Sequence, residues 1–390
     1  MSRTIDLKEQ ILQLSQIGIA LSSEHNTPVL LKKILQGARD FTGAEGGTLY
    51  ERKDDALAFA VTQNDALSVR HGKGNTGRYL VGKKIPLTKS SMAGYVGMTG
   101  EVLNLPDVYD LPPDKVFTFN KDFDKWNNYR TQSMLLVPMR DTDDNIMGVV
   151  QLINAKDEKG AVRPFDRAIE PLVLSLASQA AVALRNARLT EALKAAYYDT
   201  VFRLSVAAEF RDEDTAAHIH RMSNYSALIA RDMGWDDEQT EIMLYASPMH
   251  DIGKIGIRDA VLLKPGKLTP EEFEEMKQHT VYGAKILSNS QAPLMQMSER
   301  IAISHHEKFD GSGYPKALKA EDIPVEGRIV ALADVFDALT SKRCYKEPWP
   351  VEKATELIRE GAGKHFDPKV VAAFESCLEE ALTIRRKFST

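Results

Sequence analysis

The chain has 390 residues, 43% of them hydrophobic and 27% charged, the composition of a folded protein with more than one core. Fifty Lys and Arg against fifty-five Asp and Glu give a net charge of −5, which excludes a chain built to coat nucleic acid or an anionic membrane. Cys344 and Cys377 are too few for a disulfide framework, and neither a transmembrane run nor a signal peptide is read, so a cytoplasmic location is expected.

The first element is a helix in which Leu7, Ile11, Leu14, Gly18 and Leu21 step by four and three, the spacing of a coiled-coil seam. A second helix is expected to open with Thr27 as its cap and Pro28 in its first turn. Its core face would carry Leu31, Ile34, Leu35, Ala38 and Phe41, with Gly43 as the stop. From Gly47 to Asn154, six short runs (GTLYE, ALAFAVT, KKIPL, EVLNL, SMLLVPM and IMGVVQLIN) predict a largely antiparallel sheet, and DTDDN predicts a hairpin turn.

A long helix is expected from Phe165 to Tyr198, with Leu172, Leu176, Ala180, Ala183 and Ala187 along one stripe. That stripe suits a helix packed on its own sheet or a dimer seam joining two domains. Strand signals vanish after about residue 200. The expected fold class is α+β: an N-terminal antiparallel sheet with flanking helices, a helical connector and a C-terminal all-α domain.

Seven of the nine histidines lie at or after His218. His250 and Asp251 are adjacent, as are His305 and His306, and His218, His279 and Asp334 flank them in apolar helical context. Buried imidazoles and carboxylates are costly unless paired, hydrogen-bonded or bound to metal. Mixed nitrogen and oxygen donors without nearby cysteine favour a hydrolytic transition-metal site over a structural zinc.

The segments MHDIGKIGI, LLKPGKLTPEEFEEMKQHTVYG, ISHHEKFDGSGYP and VALADVFDALTSKRCYK resemble the HD-GYP family of cyclic dinucleotide phosphodiesterases, over about residues 200–375. The resemblance implies His218, His250, Asp251, His279, His305, His306 and Asp334 as metal ligands. Asp251 would be shared between two cations, iron or manganese, which activate a water and hold the phosphate. Asp214, four residues before His218, stands where some members carry a Glu that holds a third metal. Lys254 would meet charge building on the phosphate. Gly313, Tyr314 and Pro315, with Gly311 opening their loop, would contact substrate, as would Arg343 and Lys346. Cys344 and Arg258 stand where Pro is usual or frequent in the family. His220 and His365 are read as non-ligating, and Thr269 with Glu272 as a capping box.

Residues 10–190 resemble a GAF domain, a small-molecule sensor. The resemblance rests on FNKDFDKWNNYRTQSMLLVPM and on Asn154, Lys156, Phe165 and Asp166, which are similar to the Asn-Lys-Phe-Asp-Glu motif of cyclic-nucleotide-phosphodiesterase GAF domains. Arg167 replaces the final Glu, which weighs against cyclic nucleotide binding, and the absence of Cys in this half weighs against an attached chromophore or haem. The GAF ligand is left unknown, and a ligand-free dimerisation domain is the bland alternative. Trp126, Asn127 and Asn128 are read either as closing a pocket or as plain loop.

The expected organisation is an N-terminal helix over 1–22, a GAF-like sensor over 23–165, a connecting helix over 166–200 and an HD-GYP phosphodiesterase over 201–390. The expected reaction is hydrolysis of cyclic di-GMP to linear pGpG, with GMP as the alternative end product. Cyclic GMP-AMP is the rival substrate, and a non-catalytic dinucleotide sensor or scaffold the rival class. Expected partners are the cyclic dinucleotide, a small GAF ligand, a second copy through the helices and signalling proteins such as a diguanylate cyclase, with no membrane and no DNA.

Overall fold

The structure is a computed structural model that describes residues 7–24, 26–71, 81–209, 216–341 and 347–388. The chain divides into two compact units, Met1–Lys194 and Ala195–Thr390.

The first unit holds helices α1 (Leu7–Ser22), α2 (Thr27–Thr42), α3 (Asp65–His71), α4 (Met92–Thr99) and α5 (Asp122–Asn127). Its strands are β1 (Ala44–Lys53), β2 (Ala56–Asn64), β3 (Lys84–Pro86), β4 (Leu103–Leu105), β5 (Met134–Arg140), β6 (Ile146–Lys156) and β7 (Val162–Arg163). They form one antiparallel sheet in the order β3-β2-β1-β6-β5-β4, with β7 also on β6. All six expected runs are strands.

Alternation along the strands sorts two cores. Leu135, Val137, Met139, Val150 and Leu152 face a core shared with α1, α2 and α6 (Glu170–Glu209). Met134, Leu136, Val149 and Ile153 face a second core closed by α4 and the loops that follow it. Leu14 and Leu21 of the first helical stripe lie in the sheet core and Ile11 is exposed, so the stripe is used within the unit.

Three expectations are corrected. The cap of α2 is Asn26, whose side chain accepts from the Val29 N–H, and Thr27 is already helical; Asn fills that position at least as well as Thr. The long helix does not end at Tyr198. It continues to Glu209, because residues 199–209 contain neither Gly nor Pro, and it gains a second apolar face through Val201 and Ala208. Its apolar content also makes Arg167–Glu209 long and apolar enough by composition to cross a membrane, against the reading of no such run. Val173, Leu176, Ala177, Ala180, Ala181 and Leu184 from that stretch are buried in the sheet core.

The second unit is helical: α7 (Ala216–Asp232), α8 (Asp237–Ala246), α9 (Asp259–Leu262), α10 (Pro270–Leu287), α11 (Pro293–Ser304), α12 (Val325–Thr340), α13 (Val351–Glu360), α14 (Pro368–Ser376) and α15 (Leu378–Lys387). Tyr225, Phe336 and Phe374 are fully buried at its centre and pack edge to face. Thr269 and Glu272 make the expected capping box at the head of α10.

Candidate metal centre

The expected ligands come from five places in the second unit. His218 lies in α7, His250 and Asp251 in the turn after α8, His279 in α10, His305 and His306 just beyond α11, and Asp334 in α12. The His250 turn is seated on α10 by Gly253, where a Cβ would lie 1.8 Å from the His279 carbonyl oxygen, so only glycine permits the approach.

Two sets of donor atoms converge, each set within 4.8 Å: Asp251 with His279, His305 and His306, and His218 with His250 and Asp334. A third set joins Glu209 to His250 and Asp251. Asp251 Oδ1 stands 3.1 Å from His279 Nε2 and 3.4 Å from His305 Nε2, while Asp251 Oδ2 stands 3.2 Å from His250 Nε2. Asp334 Oδ1 is 3.8 Å from His218 Nε2.

The opposite ring nitrogens are held by acceptors. His250 Nδ1 donates to the Ser247 carbonyl at 3.1 Å, His279 Nδ1 to that of Met276 at 2.7 Å, and His305 Nδ1 to those of Ile301 and Ala302, both at 3.1 Å. His218 Nδ1 donates to Asp337 Oδ2 at 2.8 Å, and Arg221 holds the same carboxylate. A carbonyl can only accept, so Nδ1 carries the proton and Nε2 presents a lone pair in the neutral ring. The Nε2 atoms of His279 and His305 then face each other at 3.4 Å, an arrangement that asks for a cation between them. Among the described residues, His250 Nε2, Asp251 Oδ1 and Glu209 Oε1 are buried and make no hydrogen bond. Buried polar atoms are rarely left so, and the donor set fits a pair of transition-metal ions held as in other sites with oriented imidazoles.

Without a cation the groups perturb one another. Burial alone would push His250 down, but the Asp251 carboxylate outweighs it and the ring rises to about 9. Burial would raise Asp251, and Lys254 with His250 hold it well below the usual carboxylate range. Burial depresses His306, helped by the charge of His305.

Lys254 is 9% exposed, with Nζ 2.8 Å from Asp251 Oδ2 and 3.4 Å from Glu209 Oε2, so it belongs to the centre and is not a solvated surface charge. The Tyr314 ring lies 4.8 Å from that of His306. Gly313 is packed so closely that a Cβ would meet the Lys308 nitrogen at 2.3 Å, and Gly311 has φ of 87°. Tyr314-Pro315 is a cis peptide. Sequence reasoning missed Glu307, which is 2% exposed and accepts from the backbone N–H groups of Lys316 and Leu318, fastening the loop from beneath. It also missed Asp337 and Glu209. His220 stacks on Phe202 and Phe388, and His365 on Phe366, away from the cluster. Asp214, Arg343, Lys346 and Cys344 lie outside the described residues.

In the first unit, Asn154 accepts from the Gln132 N–H and donates to the Tyr129 hydroxyl and the Arg130 carbonyl. Glu45 accepts from Tyr129 at 2.6 Å and pairs with Lys156 at 2.5 Å. Phe165 is buried in the sheet core and Asp166 caps the turn after it, so the four motif residues make structural contacts. A separate cavity of about 280 Å³ opens on the other core, lined among others by Tyr50, Phe59, Asn64, Phe119, Trp126 and Gln151. Trp126 thus lines a pocket, while the Asn127 and Asn128 carbonyls accept from Arg70.

A family described as GAF domain matches residues 26–184, and one described as HD domain matches residues 202–370. The two matches fall one in each compact unit. The chain is 47% identical over 195 residues to a Thermotoga maritima protein named Cyclic di-GMP phosphodiesterase, covering 49% of this chain and 53% of that protein. It is 42% identical over 200 residues to a Vibrio cholerae protein named 3'3'-cGAMP-specific phosphodiesterase 2, covering 51% of this chain and 38% of that protein. The chain thus spans about half, or less, of the length of these curated relatives. Among solved structures it is similar to the GAF domain from an Acinetobacter phosphoenolpyruvate-protein phosphotransferase, at 17% identity, TM-score 0.36, 47% of this chain and 96% of that one.

Proposed function

We propose that the chain hydrolyses the 3′,5′-phosphodiester of cyclic di-GMP, giving linear pGpG and then GMP, at a centre of two iron or manganese ions in the HD domain. The observation that carries this reading is the pair of His/Asp sets with Asp251 between them, every donor histidine of the pair except His306 having its outer nitrogen engaged. The names of the relatives support the substrate class. His218, His250 and Asp334 would hold one ion and His279, His305 and His306 the other. Asp214 would serve a third.

When bound, such ions lower the pKa of a water and draw charge from a phosphate. The protein's own part is orientation and charge. Lys254 offers an ammonium to the phosphoryl oxygens, held in place by Asp251. Tyr314 presents a ring to a base or sugar, with Gly313 and Pro315 shaping its loop, and Arg343 and Lys346 would take the second phosphate.

The GAF cavity is proposed to take a small molecule, and the exposed Leu189, Leu193 and Leu204 of α6 to form the seam of a cytoplasmic homodimer. The domain limits proposed are 1–22, 23–165, 166–200 and 201–390. The test is metal analysis of the full chain with turnover of cyclic di-GMP and cyclic GMP-AMP, beside His250→Ala. Metal-loaded protein that cleaves neither dinucleotide would end the enzyme reading and leave the sensor reading. Preferential cleavage of cyclic GMP-AMP would change the substrate.

A further inference from the structure

Glu209 is the last residue of α6, and spacing does not single it out. Its side chain is 1% exposed, which is rare for a carboxylate unless something compensates the charge. One oxygen, Oε2, stands 3.4 Å from Lys254 Nζ, at the long end of hydrogen-bond distance. The other, Oε1, is buried and has no hydrogen-bond partner among the described residues. The set joins it within 4.8 Å to His250 and Asp251, and Asp251 Oδ2 stands 3.2 Å from His250 Nε2. Glu209 Oε1 and His250 Nε2, both buried and without a hydrogen-bond partner among the described residues, meet beside the Asp251 carboxylate, and a single cation explains them together.

Resting on the metal-dependent reading above, we propose that Glu209 Oε1 is a further protein donor to the cation held by His250 and Asp251. Its second oxygen ties that cation to Lys254. The carboxylate would then fix the distance between the positive charge of the ion and that of the ammonium. An oxygen donor is the kind that an iron or manganese centre accepts beside imidazole.

The experiment uses the full chain, stripped of metal and titrated with Mn²⁺, as wild type, Glu209→Gln, Lys254→Met and the double variant. Glu209→Gln is expected to weaken Mn²⁺ binding by roughly 10–100-fold. The melting temperature of metal-free Glu209→Gln reads the loss of the Lys254 ion pair alone, and saturating Mn²⁺ should raise it by less than it raises wild type. An equal rise with Mn²⁺ in both proteins would overturn the proposal. Wild-type Mn²⁺ affinity in Glu209→Gln would also overturn it. In the Lys254→Met background, Glu209→Gln should still weaken Mn²⁺; no further change would mean that Glu209 acts only on Lys254, and the donor role falls. A wild-type chain that binds no Mn²⁺ would sink the metal reading and this assignment with it, which separates that failure from failure of the Glu209 role alone.

Discussion

Each half of the chain buries a polar constellation, and the two are finished differently. In the GAF domain, Asn154, Glu45, Tyr129 and Lys156 satisfy one another: each interlocks with its neighbours through short contacts. In the HD domain the outer nitrogens of His218, His250, His279 and His305 are satisfied, and among the described residues the inner atoms of His250, Asp251 and Glu209 are not. A closed network is complete with protein alone and serves the fold. An open one is completed by something the chain must acquire, and that difference separates a structural motif from a site.

The largest expected effect breaks the open constellation. His250→Ala should lower cyclic dinucleotide turnover by about 10³-fold, since several kcal/mol of transition-state stabilisation depend on the ion it would hold. Steady-state assays with metal analysis check it, and chelation of the wild type should mimic it. Breaking the closed constellation should give the reverse pattern. Asn154→Ala should cost about 2–3 kcal/mol in urea unfolding by stripping the Gln132 N–H and the Arg130 carbonyl of their partner, with metal content unchanged.

The pH dependence of the two regions should have opposite sign. For metal-free protein, His250 is raised to about 9, so its contribution is complete below its unfolded value near 6.5 and is lost as pH rises through about 9. Burial would raise Glu45, but Lys156, Tyr129 and Asn154 outweigh it and hold the carboxyl low. Its contribution is present above its unfolded value near 4.5 and is lost as pH falls below that value, through the lower folded one. Hydrogen exchange read separately on peptides around 244–256 and 129–156 should show protection falling on the alkaline side in the first and on the acid side in the second. Equal trends in both would contradict the distinction. The smallest effect belongs to the cavity rim. Trp126 is 78% exposed, so Trp126→Ala should shift GAF stability by less than about 0.5 kcal/mol while weakening any small molecule the cavity binds, measured by calorimetry.

What could be read from the sequence follows the range over which each interaction acts. The strands were legible because their apolar runs are local and each is bounded by Gly, Pro, Asp or Asn. The grouping of His218, His250, Asp251, His279, His305, His306 and Asp334 was expected from their resemblance to the HD-GYP family, because adjacent pairs alone do not say which side chains meet across separate helices. The end of α6 was not, since nothing after Tyr198 breaks a helix and the reason to continue is packing of Val201 and Ala208 against a different core. Asp337 escaped because its partner His218 is 119 residues away, and Glu209 because Lys254 is 45 away. Asn26 was passed over for Thr27 because both residue types cap helices and only backbone geometry decides between them.

The acceptors on His250, His279 and His305 are all main-chain carbonyls. No exchange of side chains at Ser247, Met276, Ile301 or Ala302 can delete them. The choice of tautomer is therefore written in chain geometry, and drift in the neighbouring residues leaves it untouched. A one-residue insertion or deletion between any of these histidines and its carbonyl is a different matter. It would rotate a ring away from its neighbours while leaving the composition of the site intact, so in this centre length is guarded more tightly than identity.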